Sequence, residues 1–187
     1  MTDRTFLHQK FGIRYKNISV YDKQFLNKCF YCGETFECYD HAPPLSMIRD
    51  MDGLYHGEYL LIPACNSCNC LLGASSTWNL QERAELLKKK IYKKHNKDII
   101  RGLKWSVEDL KDFNIKSSLF PEVLKTKYTS LIISERLLFR NPIFYVGSNK
   151  NKPFLLEDTT VNYSYLRDTH TEEELEALER LFRKYLF

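Results

Sequence analysis

Cys29-Phe30-Tyr31-Cys32 and Cys65-Asn66-Ser67-Cys68 are two Cys-x-x-Cys knuckles at the ends of a long loop. Each knuckle presents two thiolates from one tight turn, and four thiolates complete the tetrahedron that structural zinc prefers. The spacing therefore predicts a structural Zn²⁺ site that ties the two ends of the loop together. The other two cysteines, Cys38 and Cys70, are more typical of small buried hydrophobic residues than of metal ligands.

Three polar residues accompany the knuckles and suggest chemistry beyond zinc binding. Asp40 and His41 lie between the knuckles, and Asn69 directly follows Cys68. Carboxylate and amide oxygens suit a hard divalent cation such as Mg²⁺ or Mn²⁺, and a neutral imidazole suits a general base near neutral pH. A zinc ribbon that only binds nucleic acid needs the thiolates alone, and Asp40-His41 would then be a turn. Both interpretations stay open on these residues.

The spaced string Cys29-x-x-Cys32, Asp40-His41 and Cys65-x-x-Cys68-Asn69 resembles the HNH (His-Me finger, ββα-metal) endonuclease superfamily. Within it, the string is most similar to the zinc-knuckle branch that includes phage recombination endonuclease VII. The resemblance covers about residues 25–95. It implies that His41 activates water, that Asp40 and Asn69 hold a catalytic Mg²⁺ or Mn²⁺, and that the products carry 5′-phosphate and 3′-hydroxyl ends.

Two departures from that family qualify the resemblance. Tyr59-Leu60-Leu61-Ile62 lacks the asparagine that many HNH proteins carry before the second knuckle, as the endonuclease VII branch also does. Cys70-Leu71-Leu72 stands where many relatives have a basic residue that reaches phosphate. Phosphate neutralisation therefore has to come from another part of the chain.

The charge is distributed unevenly along a chain whose net charge is +4. Residues 83–105 carry nine lysines or arginines against two acids, whereas residues 29–82 carry one arginine against seven acids. A basic helix beside an acidic, metal-binding module suits a polyanionic substrate. The predicted nucleic-acid-binding residues are Arg83, Lys88, Lys89, Lys90, Lys93, Lys94 and Lys97. The alternative for this run is an ordinary solvated helix face.

The chain divides into three predicted regions: an N-terminal helical segment at 1–28, the HNH core with its basic helix at 29–105, and a mainly helical region of unknown role at 106–187. Ser19 is a candidate cap for a short helix that ends at Lys28. Alternation predicts strands at 35–40 and 59–62, with the first strand ending or bulging at Asp40-His41 and the second stopped by Pro63. The expected fold class is α+β, with a zinc-stabilised ββα-metal core embedded in a mainly helical protein.

Helical signals dominate the second half of the sequence. Apolar spacing predicts a helix over 80–95 with one buried face, formed by Leu80, Ala84, Leu87 and Ile91. Ser106 is a candidate cap, and Pro121 and Pro142 are candidate breaks. Residues 171–174 form a capping box for a terminal helix.

The remaining expectations concern the class and partners of the protein. The absence of long apolar runs and of a signal-peptide core predicts a cytoplasmic protein with no membrane partner. The expected partner is DNA, RNA is not excluded, and the C-terminal helices are a candidate surface for a homodimer or a partner protein. A structural protein without nucleic-acid affinity is a third alternative.

His56 is the rival catalytic histidine, while His8, His95 and His170 are assigned to the surface or to packing. Phage biology or bacterial anti-phage defence is the expected setting.

Overall fold

The structure, a computed structural model, describes residues 3–50, 55–112 and 118–157, together with residues 166, 176–178, 180 and 183. It is an α+β protein. Its helices and strands, in chain order, are α1 (Asp3–Phe11), β1 (Lys16–Val20), β2 (Cys38–Ala42), α2 (Leu45–Asp50), β3 (Leu60–Ala64), α3 (Asn66–Leu72), α4 (Leu80–Leu103), α5 (Val107–Asp112), α6 (Phe120–Leu138) and β4 (Phe144–Val146). The predicted capping box at 171–174 lies outside the described residues.

The four strands form one sheet in the order β2-β3-β1-β4. β2 pairs antiparallel with β3, with Asp40 opposite Ile62 and His41 opposite Leu61. β1 pairs parallel to β3 and antiparallel to β4. The helix predicted between Ser19 and Lys28 is therefore wrong, because Ser19 lies in a strand and only a short 3₁₀ turn at Lys23–Phe25 follows.

Pro63 does not stop its strand, contrary to the sequence prediction. It lies inside β3 opposite Tyr39, and its carbonyl accepts a hydrogen bond of 2.8 Å from the Phe30 amide. Because the N and O atoms of one extended residue point to the same side, the missing N–H of Pro63 faces away from β2. β1 pairs with β3 only at Leu60 and Leu61, so proline occupies a position where the ladder requires no N–H donor.

The chain separates into two compact units. The first comprises residues 1–90 and 139–161, and the second comprises residues 91–138 and 162–187. A cluster of Leu7, Phe11, Tyr15 and Ile48 forms part of the first core, with Leu45, Tyr59 and Leu61 packed against it. In the second unit, the core includes Leu110, Phe120, Leu124, Leu131 and Leu178.

The sequence predicted the main helix and its buried face. α4 extends eight residues beyond the predicted end at 95, and Leu80, Ala84, Leu87 and Ile91 are all buried. Ser106 caps α5, since its hydroxyl accepts a hydrogen bond from the Asp109 amide at 3.0 Å. Pro121 lies in the first turn of α6, where no intrahelical donor is needed, so it opens the helix rather than breaking it. Among the described helices, none has the length and apolar character needed to cross a membrane.

Candidate metal centre and adjoining cavity

The first knuckle is a tight hairpin that turns two thiols inward. The Cys29 carbonyl accepts a hydrogen bond from the Gly33 amide, and the Cys29 amide donates to the Glu34 carbonyl. Gly33 has a φ of +77°, a left-handed conformation that glycine adopts without steric cost. Cys29 and Cys32 are both buried as a result.

The second knuckle joins the end of β3 to the first turn of α3. Cys65 caps this helix, and its sulfur accepts a hydrogen bond from the Cys68 amide at 3.4 Å. The Sγ atoms of Cys29, Cys32, Cys65 and Cys68 all lie within 4.8 Å of one another. The two knuckles therefore meet in space, although their thiols are up to 39 positions apart in the chain.

The geometry of this cluster fits a zinc ion. Zn–S bonds of about 2.3 Å in a tetrahedron place neighbouring sulfurs about 3.8 Å apart, and the Cys32 and Cys65 sulfurs are separated by 3.8 Å. The hydrogen bonds of the Cys29 and Cys32 thiols hold the pKa of Cys65 well below its usual value. The pKa of Cys68 is raised, chiefly by its contacts with the same two thiols. Four buried cysteines thus could hold a zinc ion.

Asp40 is buried in β2, and its carboxylate accepts three hydrogen bonds from two residues. Its Oδ2 accepts hydrogen bonds from Arg83 Nε and from the Tyr31 hydroxyl, both at 2.6 Å, and its Oδ1 accepts from an Arg83 terminal nitrogen at 2.6 Å. Burial and the negative charge of Asp40 raise the pKa of Tyr31 well above its ordinary value. Tyr31 therefore stays a proton donor to this carboxylate.

Arg83 occupies a position that its sequence context does not suggest. The sequence groups it with the surface lysines of the basic helix, yet its side chain is only 1% exposed. Besides the pair with Asp40, it donates to Thr77 Oγ1 at 3.1 Å and to the Gly73 carbonyl at 3.0 Å. Burial opposes the charge of Arg83, but the hydrogen bonds and charge of Asp40 outweigh burial and raise its pKa.

His41 is the next residue of β2, half-buried among aromatic rings. Its ring centroid lies 4.7 Å from that of Tyr15 and 5.0 Å from that of His8, both in edge-to-face geometry. Tyr15 is fixed in turn by a hydrogen bond of 2.6 Å from its hydroxyl to the Pro43 carbonyl. β2 continues to Ala42 in unbroken register, so the expected end or bulge at Asp40-His41 is absent.

Asn69 lies in α3, one residue beyond the second knuckle. Its side-chain amide nitrogen donates to Cys38 Sγ at 3.3 Å. Its side-chain carbonyl oxygen has no hydrogen-bond partner among the described residues.

Cys38 is half-buried rather than fully buried, and Cys70 is exposed, so the prediction that both are buried hydrophobes is wrong for Cys70.

A cavity of about 560 Å³ brings the three predicted catalytic residues together. Asp40, His41 and Asn69 all line it, and Arg83 does so as well. The remaining lining residues are Leu7, Pro44, Leu45, Ser46, Cys70, Gly73 and Ala74. Asp40 and His41 meet the same cavity although they are adjacent in a regular strand.

The predicted nucleic-acid-binding lysines fall into two groups. Lys90 donates to the Leu71 and Leu72 carbonyls, the last turn of α3, and Lys88 donates to the Phe139 carbonyl. These two side chains hold the fold together. Four others are exposed along α4: Lys89, Lys93, Lys94 and Lys97. His56, the rival histidine, is also exposed.

Comparisons of this chain with protein-family models, curated proteins and solved structures found no match. The family resemblance therefore rests on the spacing of the cysteines, Asp40-His41 and Asn69. Sequence reasoning missed three residues around these groups: Tyr31, which binds Asp40, and Tyr15 and His8, which contact His41. Tyr31 carried a signal, since it is the large polar residue inside the first knuckle, whereas nothing in the sequence linked His8 to His41.

Proposed function

We propose that this chain is a metal-dependent, HNH-type endonuclease that hydrolyses phosphodiester bonds in DNA. The observation that carries the proposal is the single cavity lined by Asp40, His41 and Asn69. These are the three residue types that hydrolysis of a phosphodiester bond calls for: a carboxylate, an imidazole and an amide oxygen. Phage biology or anti-phage defence is the setting in which we place it.

The donor set fits a hard divalent cation beside the zinc cluster. Asp40 Oδ1 accepts one hydrogen bond in the structure, and a carboxylate oxygen offers about two acceptor positions. The Asn69 carbonyl is the second oxygen donor, since its amide nitrogen already binds Cys38. Asp40 and Asn69 would therefore hold Mg²⁺ or Mn²⁺. Such an ion supplies a Lewis acid that stabilises the leaving 3′-oxygen.

His41 supplies the base in this proposal. Its imidazole accepts a proton from water, the resulting hydroxide forms a bond to phosphorus, and the bond from phosphorus to the 3′-oxygen breaks, after which the 3′-oxygen takes a proton from solvent water. The products then carry 5′-phosphate and 3′-hydroxyl ends. Tyr15 and His8 restrict the orientation of the ring through their edge-to-face contacts. The exposed lysines of α4 contribute phosphate contacts, which supply affinity and position rather than sequence choice.

The direct test is cleavage of supercoiled plasmid with Mg²⁺ or Mn²⁺, and with EDTA. We expect metal-dependent nicking by the wild type, and a loss of about 10²–10⁴-fold in His41→Ala, the usual contribution of a general base. His56→Ala is the matched control and should cut normally. Zinc content and circular dichroism establish that each variant is folded. A single-stranded RNA of the same length tests the RNA alternative.

A zinc ribbon that binds nucleic acid without cutting it is the second candidate, favoured by the exposed lysines of α4. It predicts that the wild type retards DNA in a gel, that affinity falls steeply with salt, and that His41→Ala binds and behaves as the wild type does. Plasmid that stays intact with every metal, together with such binding, would replace the endonuclease proposal.

A further inference from the structure

The charge of Asp40 is already neutralised in the structure, and this bears on how a divalent cation can bind there. Arg83 contacts both carboxylate oxygens at 2.6 Å, and the two side chains are 1% and 2% exposed. Neither charge is weakened by solvent. The Arg83 guanidinium is held in place by Thr77 and Gly73 as well, so it is a fixed part of the site.

The described residues that line the cavity carry no net charge. Among the described residues that line it, Asp40 and Arg83 are the two with a formal charge when His41 is neutral. The affinity of an oxygen-ligand site for a divalent cation depends strongly on how many negative charges its ligands carry. A cation entering this cavity would meet one carboxylate whose charge is balanced and one neutral amide.

A phosphodiester supplies the missing negative charge. Its non-bridging oxygens are hard donors of the kind that Mg²⁺ and Mn²⁺ take from substrates when the protein provides few ligands. The phosphate in turn would find little net positive charge in the cavity before the cation binds, because the charge of Arg83 is balanced by Asp40. Cation and nucleic acid would therefore complete each other's binding site.

We propose that Arg83 neutralises Asp40 so that the divalent cation and the nucleic-acid phosphate bind to this cavity interdependently, each weakly without the other. The inference rests on the proposed function, because it takes Asp40 as the cation ligand. Arg83 is a positioning residue in this scheme. By linkage, a cation that tightens DNA binding is itself bound more tightly by the same factor in the presence of DNA.

The first experiment measures Mn²⁺ binding to zinc-loaded protein without DNA, by isothermal titration calorimetry. Arg83→Gln removes the competing charge, so its affinity for Mn²⁺ should rise by about tenfold or more, within the usual range of coupling between sites. Arg83→Lys keeps the charge and should resemble the wild type. A folded Arg83→Gln protein that binds Mn²⁺ no better than the wild type overturns the inference.

The second experiment does not depend on the folding of any Arg83 variant. The affinity of a His41→Ala protein for a short fluorescein-labelled duplex is measured by anisotropy with Mn²⁺ and with EDTA, at matched ionic strength. We expect DNA to bind about tenfold or more tightly with Mn²⁺, and expect a further Asp40→Asn change to abolish the difference. Equal affinity under both conditions contradicts the interdependence.

Failure of this inference can be told apart from failure of the proposed function. If Asp40→Asn leaves Mn²⁺ binding unchanged both with and without DNA, Asp40 is not the ligand and the proposed site itself is wrong. If Mn²⁺ binding requires Asp40 but responds neither to Arg83→Gln nor to DNA, the site stands and only the interdependence is refuted.

Discussion

Tyr31→Phe is the most informative single change in this protein, because it removes one oxygen atom that links the first knuckle to Asp40. The hydroxyl donates to Asp40 Oδ2 at 2.6 Å in a buried environment. Phenylalanine fills the same space, so the change creates no cavity. The two hydrogen bonds between Arg83 and Asp40 remain, which means that the carboxylate charge stays paired.

The size of the effect follows from the type of bond that is removed. A hydrogen bond to a charged group contributes about 1.5–3 kcal/mol to stability. We therefore expect Tyr31→Phe to lower the free energy of unfolding by about that amount, and to lower Tm by about 2–4 °C per kcal/mol for a chain of this length. Tyr39→Phe is the matched control, since Tyr39 is 46% exposed, and it should change stability by less than about 0.5 kcal/mol.

The assay uses the two tryptophans of the chain, one in each unit. In a Trp105→Phe background, the fluorescence of Trp78 reports unfolding of the unit that contains Tyr31 and Asp40. Urea titrations of zinc-loaded protein then give the stability difference. A difference for Tyr31→Phe no larger than that for Tyr39→Phe would show that the bond to Asp40 does not stabilise this unit.

The pH dependence provides an independent check on the same bond. The pKa of Tyr31 is raised above its ordinary value of 10.0 by burial and by the charge of Asp40. Above pH 10 the unfolded chain therefore releases a proton that the native protein retains, so wild-type stability falls as pH rises. Tyr31→Phe has no phenol at position 31 and therefore lacks this part of the decline, whereas the other tyrosines, among them Tyr15 with its raised pKa, affect both proteins alike. The difference in the free energy of unfolding between the wild type and Tyr31→Phe should have its largest value below pH 10 and should decrease above pH 10. A difference that does not change with pH contradicts the raised pKa of Tyr31.

Three further predictions concern other parts of the molecule. Cys65→Ser removes one of the four cysteines that could hold zinc, so metal analysis should find about one zinc per chain in the wild type and well under that in the variant. Gly102→Ala adds a Cβ that overlaps Ser130 where α4 and α6 cross, and should cost about 1–3 kcal/mol in urea unfolding, part of which a second change, Ser130→Gly, recovers. Replacing Lys93 and Lys97 with glutamine should reduce the salt dependence of DNA binding, with the log–log slope falling by about 0.9 for each phosphate that the protein no longer neutralises.

The elements that the sequence predicted are those set by local spacing. Two cysteines per knuckle confine the turn geometry, and the recurrence of apolar residues fixes the buried face of α4. β1 escaped prediction because only Ile18 is buried within it, so the strand has almost no alternation to detect. Its partners, β3 and β4, lie about 40 to 130 residues away in the chain. The residues around β1 therefore contain no sequence pattern that indicates this pairing.

The pairing of Arg83 with Asp40 was hidden for a similar reason. The two residues are 43 positions apart, and Arg83 precedes a run of lysines that dominates the local charge pattern. Sequence spacing treats every cation of that helix alike, although burial separates Arg83 and Lys90, whose donors are used inside the fold, from Lys93 and Lys97, which are exposed. Tertiary contacts, which the sequence does not show, decide that Arg83 and Lys90 use their donors inside the fold.

The location of Tyr31 explains why the thiol cluster and the Asp-His pair belong to one structure. Tyr31 lies between the two cysteines of the first knuckle and donates its hydroxyl to Asp40. Asn69 directly follows Cys68 and lines the same cavity. One oxygen donor is therefore supported by the first knuckle and the other by the second. We therefore expect a change in the cysteine cluster to affect both oxygens, because Tyr31 lies between two of the cysteines and binds Asp40, and Asn69 directly follows a third in α3.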